Sequence, residues 1–488
     1  MAAGRMRRCG LPAVLLCAVL GQSLLAAGPA LAGERSDMGA VDEFVQRQSR
    51  AAGVPGVAYA VVGGGAEHQG AFGVDGDGRA VDPRTPFLWG SVSKPVTATL
   101  VVLLARDGLL RLDDPVGRLV PSFATTNRIT VRQLLEHTSG LPEGLTLTDR
   151  YDAGRSIASL LPQIAGLEPV AEPGSKHNYS SLNYIVLGAV VESVTGKPFA
   201  QVLSERLLTP AGITGPLADA SKTGQVLPAG HRFVFGGTRA FESHVDPATV
   251  PAGYLVGSVE DLAAYARTQL TGGRVLDAKD RGLLHTSKVS VGYDNGYALG
   301  WRTSKVPGTD EPMVWHGGAA PGYQAAIVLL PKRNQAVVVL QNAYSPFHDA
   351  ALMDTAMGTA ALLIAAESER NSTDPIYPAL LAALSALAVT LLALVVATTL
   401  RLRRQPKPRS PGRRWAGLAL TLLTLGALSY ALAGVLPGLA GVTLTQLSLW
   451  APDLSALVYL AVLLCAALAA IRLLTTVLHS RRHAPPST

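Results

Sequence analysis

Ser91 and Lys94 stand three residues apart at the head of an apolar run, Val96 to Ala105, that closes at Gly108. A run of that length with a terminal glycine predicts a helix. Positions three apart share a helix face, so the lysine amine can reach the serine hydroxyl. The chemistry on offer is nucleophilic: the amine takes the serine proton and the alkoxide attacks a carbonyl. A helix N-terminus favours the negative charge that develops. Pro95 fits in the first turn, where its missing N–H costs nothing. Ser-x-x-Lys is common by chance, so the chain must supply further partners.

Once the base holds the serine proton, the leaving group still has to be protonated, which asks for a second shuttle. Tyr179 can serve, because a phenol beside cations can cycle between phenol and phenolate. Ser181, two residues on, is placed to donate to a substrate amide. Without Ser91, the same Tyr-x-Ser would read as a helix N-cap beside a packed aromatic. A third group, His316-Gly317-Gly318, closes the stretch Met313 to Trp315. Its glycines let a substrate backbone lie against a sheet edge. The N–H of Ala319, with that of Ser91, can form an oxyanion hole. His316 either places a polar or cationic group beside Ser91 and Tyr179 or is a turn histidine between strands. The histidines are scattered, and no H-E-x-x-H or cysteine cluster occurs, so no metal and no cofactor is expected.

Several elements must position these groups. Met38 to Ala52 predicts an amphipathic helix, and Val54–Val62 and Ala66–Val74 predict strands joined by Gly63-Gly64-Gly65. Asp75-Gly76-Asp77-Gly78 reads as a plain turn. Thr130 caps a short helix to His137, and Tyr151 to Ser204 reads as mostly helical around a Glu172-Pro173-Gly174 loop. Within it, Tyr179-Ser180-Ser181 opens the helix Leu182 to Thr195. Thr214 to Thr249 resists assignment, and a helix follows around Val259 to Leu270. From Gly296 the period becomes strand-like: Tyr297–Arg302, Met313–Trp315, Gln324–Leu330 and Ala336–Gln341, before a last helix from His348 to Ala366. The pattern implies an α/β (α+β) domain. Its antiparallel sheet pairs the N- and C-terminal segments, helices flank it, and a helical subdomain is inserted.

The chain has 488 residues and a net charge of +7, but the charge is unevenly placed. Residues 375–488 carry ten Lys/Arg and one acid, Asp453, and residues 1–32 carry three arginines, leaving about −5 for 33–374. Nucleic-acid binding is disfavoured, since the basicity belongs to membrane flanks. Arg5, Arg7 and Arg8, an apolar segment from Leu11 to Ala26, and Ala30-Leu31-Ala32 read as a signal peptide. The alternative is an N-terminal anchor. Cys9 and Cys17 fall in that segment and Cys465 in a late apolar run, so the exported domain has no thiol or disulfide.

Ile376–Leu400, Trp415–Leu436 and Leu454–Ile471 are apolar enough to span a membrane, and seven basic residues lie in 401–414. The positive-inside rule puts every basic cluster in the cytoplasm. The expected organisation is a signal peptide over 1–32, an extracytoplasmic domain over 33–370 and a hinge over 371–375. Spans follow over 376–400, 415–436 and 454–471, with a cytoplasmic loop at 401–414, an external loop at 437–453 and a cytoplasmic tail at 472–488.

Ser91-x-x-Lys94, Tyr179-x-Ser181 and His316-Gly317-Gly318, in this order, resemble the serine β-lactamase and penicillin-binding-protein superfamily. The class C-like, esterase and D-aminopeptidase branch is the most similar. Leu134 to Leu141 (LLEHTSGL) and Tyr297 to Trp301 (YALGW) also match that branch and read as architectural. The resemblance covers about Met38 to Ala366. Lys222-Thr223-Gly224 spells the superfamily's usual third motif, but no strand pair and closing helix follow it, whereas His316 has both.

The layout, including Val250 to Tyr254 and the three spans, is similar to the prodrug-activating D-amino peptidases of nonribosomal peptide pathways, the colibactin-maturing type. It departs at Ala319-Ala320, where that type has an amide side chain. The resemblance implies catalysis by Ser91, Lys94 and Tyr179, with Ser181, His316, Gly317, Gly318 and Ala319 holding the substrate and oxyanion. It implies removal of an N-acyl-D-amino-acid cap, a peptide-like substrate, residence in the bacterial cell membrane and an export transporter as partner. β-Lactamase, D-Ala-D-Ala carboxypeptidase and esterase are alternatives within the family. A non-catalytic receptor is the alternative outside enzymes.

Overall fold

The computed structural model describes residues 38–366, 375–401 and 410–482, apart from 66, 127, 145–146, 149–153, 216 and 440. The signal peptide, most of the hinge and most of the basic loop lie outside the described residues. Helix α1 (Met38–Ala51) leads into the hairpin β1 (Gly56–Gly63) and β2 (His68–Gly73), where glycines at 63–65 take the positive φ the tight turn requires. A single turn of 3₁₀ helix, Gly90–Val92, then heads α2 (Ser93–Arg106).

Helix α3 (Val131–Leu135) starts at a Thr130–Gln133 capping box. It ends two residues before the sequence pattern, because His137 takes a left-handed φ of 55°. Tyr151 to Ser204 is less helical than expected: Ile157–Ala165 is helical, but the Pro- and Gly-rich chain after it is irregular up to α4 (Ser181–Thr195). The unassigned middle resolves into α5 (Ala220–Val226) and the hairpin β3 (Gly230–Val234) and β4 (Gly237–Phe241), followed by α6 (Val259–Thr271).

The C-terminal half of the domain supplies β5 (Val289–Gly292), β6 (Asn295–Tyr297), β7 (Arg302–Lys305), β8 (Pro312–Ala320), β9 (Tyr323–Leu330), β10 (Gln335–Gln341) and β11 (Ala343–Tyr344), then α7 (Asp349–Leu363). An eight-stranded antiparallel sheet runs β2-β1-β10-β9-β8-β7-β6-β5. β1 and β10 pair from Val57↔Gln341 to Gly63↔Gln335, so the two ends of the domain meet in its middle. Both faces of β1 are buried. Ala58, Ala60 and Val62 face the core shared with α2, α4 and α6, while Val57, Tyr59 and Val61 face α1 and α7. That two-residue alternation is what a covered central strand requires. A smaller sheet, β11-β3-β4, lies beside the eight-stranded one.

Beyond the domain come α8 (Ile376–Arg401), α9 (Pro411–Tyr430, carried on by a π turn towards Leu439), α10 (Leu444–Trp450) and α11 (Pro452–Arg482). Three of these helices are long and apolar enough to cross a membrane. The first turns of α8 and α11, with α10, meet the small sheet and its hairpin turn. Asp453, the one acid after residue 374, accepts from the Phe235 N–H at 2.8 Å and from Tyr377. Trp450 meets Tyr344 edge-on at 5.4 Å.

Candidate active site

The sequence folds so that the Ser91 turn is pinned from two sides. Behind it, Trp89 donates from its backbone to Leu255 O and from its indole to Gly257 O, both at about the ordinary 3 Å. Thr97 donates to Pro251 O at 2.8 Å, which docks the Val250–Tyr254 segment on α2. In front lies β8. A Cβ at Gly318 would stand 2.0 Å from Trp89 O and 3.0 Å from Ser91 N, and one at Gly90 would stand 2.5 Å from Ala319 N. Only glycine lets these two backbones touch, and Gly90 also holds a φ of 51°.

β8 is longer than the sequence pattern implied. Its ladder with β9 runs to Ala320↔Tyr323, but its ladder with β7 stops at Trp315↔Arg302. The β7-side edge of Gly317 to Ala320 is therefore released from strand pairing beside Ser91. His316-Gly317-Gly318 sits inside a strand rather than at a turn. Backbone N–H groups of Ser91 and Ala319 flank this contact, an arrangement that can bind an oxyanion.

Lys94 is fully buried while Ser91 is partly exposed. The Lys94 amine donates to Ser91 Oγ at 3.0 Å, to Ser181 Oγ at 3.2 Å and to Ala252 O at 2.7 Å. Three acceptors match the three N–H bonds of an ammonium, and loss of one proton leaves an amine facing the serine hydroxyl. Ser181 thus serves Lys94 through its oxygen, leaving its own O–H to donate. Tyr179 leans over this centre, its ring centroid 5.0 Å from the Lys94 amine and 5.3 Å from the Arg302 guanidinium. Its ring lies 4.3 Å from that of His137 and 6.2 Å from that of His316.

His316 departs from the cationic expectation. Burial first, then Arg302 and Lys94, hold its pKa well below the ordinary histidine value, so the ring is neutral. Both of its nitrogens are engaged within the protein, Nε2 with the Tyr297 hydroxyl at 3.1 Å and Nδ1 with Gly317 O at 2.7 Å. Of Ala319-Ala320, Ala320 is only 2 % exposed and packs in the main core, while the Ala319 side chain packs on the opposite face of the strand against Val54, Tyr344 and Leu352. Lys222-Thr223-Gly224 lies elsewhere, on α5, with Lys222 paired to Asp219 at 3.0 Å.

Three contributors were not singled out from the sequence. His137 and Tyr297 lie in stretches read as architectural, and Arg302 carries no motif of its own. The signal for the first two was present in those stretches. Arg302 is found only by the register that sets it opposite Trp315.

A family profile described as Beta-lactamase matches residues 41–362. Protein flp of Staphylococcus aureus (strain N315) is 26% identical over 322 residues, 63% of this chain and 63% of that protein. The chain thus spans under two thirds of the length of these staphylococcal relatives. Penicillin-binding protein 4 of Amycolatopsis lactamdurans is 30% identical over 325 residues, 59% of this chain and 81% of that protein. The solved structure of SurE with D-Leu is 27% identical, with a TM-score of 0.55, covering 69% of this chain and 77% of that one.

Proposed function

The chain belongs to the beta-lactamase family, and from that premise we propose that it is a serine hydrolase acting on amides, a membrane-anchored peptidase that cleaves beside an acylated D-residue. The observation that carries this reading is the Lys94 amine held 3.0 Å from Ser91 Oγ beneath the released edge of β8. Ser91 Oγ attacks the amide carbonyl as its proton passes to Lys94. The oxyanion sits between the N–H groups of Ser91 and Ala319. Tyr179 hands a proton to the departing amine, the C–N bond breaks, and an ester to Ser91 remains. Water then attacks the ester, giving a proton to the Tyr179 phenolate while Lys94 returns its proton to Ser91 Oγ, and the acid is released.

A substrate backbone laid along Gly317–Ala319 would present its carbonyl to Ser91, and a D-residue is the natural guest given the D-Leu bound by SurE. Three helices long and apolar enough to cross a membrane, with basic residues flanking them, support a reading in which the domain is held on the outer face of the bacterial cell membrane. The specific reading is maturation of a capped peptide prodrug during export, with a transporter as neighbour. Arg302, partly exposed over the Tyr179 ring, favours a second reading in which a substrate carboxylate binds there, as in a carboxypeptidase.

Membranes carrying wild type or Ser91→Ala are given N-acyl-D-amino-acid amides, their L-counterparts, a D-Ala-D-Ala peptide and a β-lactam, and products are read by mass. Release of N-acyl-D-residue by wild type alone supports the peptidase. Turnover of only the dipeptide or only the β-lactam moves the enzyme to those classes. No Ser91-dependent product and no adduct on Ser91 refutes the catalytic reading in favour of a receptor.

A further inference from the structure

His137, Tyr297 and His316 form a buried chain behind Tyr179, and its partners favour one direction for its hydrogen bonds. Asn183 Oδ1 accepts from Ser139 Oγ at 2.6 Å, so its Nδ2 is the group 2.9 Å from His137 Nδ1. The Ser180 N–H also points at His137 Nδ1, at 3.1 Å. Two donors on one nitrogen leave no room for a proton there, so His137 carries its hydrogen on Nε2. That N–H donates to the Tyr297 oxygen at 3.2 Å. Tyr297 also hydrogen-bonds Tyr184, whose own O–H is given to Leu135 O at 3.0 Å. The Tyr297 oxygen faces His316 Nε2 at 3.1 Å and can donate to it, and His316 donates from Nδ1 to Gly317 O at 2.7 Å.

With the Tyr297 O–H given to His316, each step satisfies the next and both imidazoles are neutral and of opposite tautomer. Burial and the cations Arg302 and Lys94 oppose the imidazolium that an O–H turned to Tyr184 would favour at His316. The ends of the chain are the two walls of the cleft: Ser180, inside Tyr179-x-Ser181, and Gly317, on the released edge of β8. Both histidines are buried, at 0% and 1% exposure. The groups facing them are Lys94 from α2, Arg302 from β7, His177 and Tyr179 from the loop before α4, and Tyr184 from α4.

We propose that His137, Tyr297 and His316 are positioning residues, a one-way uncharged relay that locks the Tyr179–Ser181 loop to the β8 edge and keeps imidazolium out of the site. Tyr179 then faces the cations Lys94 and Arg302, and neither His137 nor His316 sets the acid limb of the reaction. The role in catalysis rests on the peptidase reading, whereas the tautomers do not.

The test uses the full chain in detergent, labelled with ¹⁵N-histidine, together with hydrolysis of an N-acyl-D-alanine p-nitroanilide. Wild type should show two non-titrating neutral imidazoles between about pH 5 and 8, one protonated on Nε2 and one on Nδ1. Tyr297→Phe removes the middle link. It should lower kcat about tenfold, the worth of one buried hydrogen bond, with KM little changed. It should also add an acid limb as His316 begins to take up protons. An imidazolium or a shared tautomer in wild type overturns the relay without any assay. An unchanged kcat and pH profile in a folded Tyr297→Phe protein overturns its role. If Ser91→Ala loses nothing in the same assay, the peptidase reading fails and the tautomer result still stands.

Discussion

Lys222-Thr223-Gly224 and His316-Gly317-Gly318 are tripeptides of nearly the same kind with opposite fates. The first lies on α5, its lysine exposed and paired with the helix's own cap, Asp219, its glycine facing open space. The second lies in β8, its histidine buried and its glycines pressed against the Ser91 turn and the Met353 side chain. A short motif therefore means little until its neighbours are known. What separates the two is a strand whose partner on one side ends early.

The lysines give the sharpest contrast. Lys94→Ala should lower Ser91-dependent turnover on the order of a thousandfold, read as kcat/KM, because it removes the amine 3.0 Å from the hydroxyl. Lys222→Ala should leave turnover unchanged. Equal losses at the two sites would undo the assignment of the site to β8.

The glycines come next. Gly318→Ala puts a methyl 2.0 Å from Trp89 O, so the Ser91 turn or the strand must move. Turnover should fall about a hundredfold or more, the cost of a 1 Å misplacement, and the thermal midpoint should drop. Gly224→Ala meets nothing within 4 Å inside a helix and should stabilise by about 0.5–1 kcal/mol.

Acid sharpens the comparison further. His137 and His316 have folded-state pKa values well below the ordinary 6.5, mainly through burial. The unfolded chain binds protons there that the folded chain refuses, so stability is full above 6.5 and is lost as pH falls below it. Melting followed from pH 7 to 5 should show a loss of about 1.4 kcal/mol per buried histidine per pH unit. The smallest effect expected is that of Lys222→Ala on stability, below about 1 kcal/mol, because its ion pair is exposed and screened.

Much of the architecture was legible because local patterns carried it. The β1–β2 hairpin, the Thr130 cap, the helix opened by Tyr179-Ser180-Ser181 and the apolar strands β9 and β10 all show their period or their turn residues directly. Tyr151 to Ser204 was overread because Pro173 and Gly174 break a run whose composition still favours helix. The β3–β4 hairpin was missed because its strands are short, β3 mostly buried and β4 largely exposed, so no clear alternation marks them.

The sequence by itself determined which chemistry the chain carries and in what order its parts come. Ser91, Lys94, Tyr179 and the glycines at 317 and 318 are set by residue type and spacing, and the late apolar runs by composition. Tertiary structure alone decided that His316 is neutral, that His137 and Tyr297 stand behind Tyr179, and that Arg302 joins them. The reason is physical. Spacing along a helix or strand reaches only the next turn or the next residue, whereas charge state and hydrogen-bond direction depend on burial and on neighbours that register brings from distant segments.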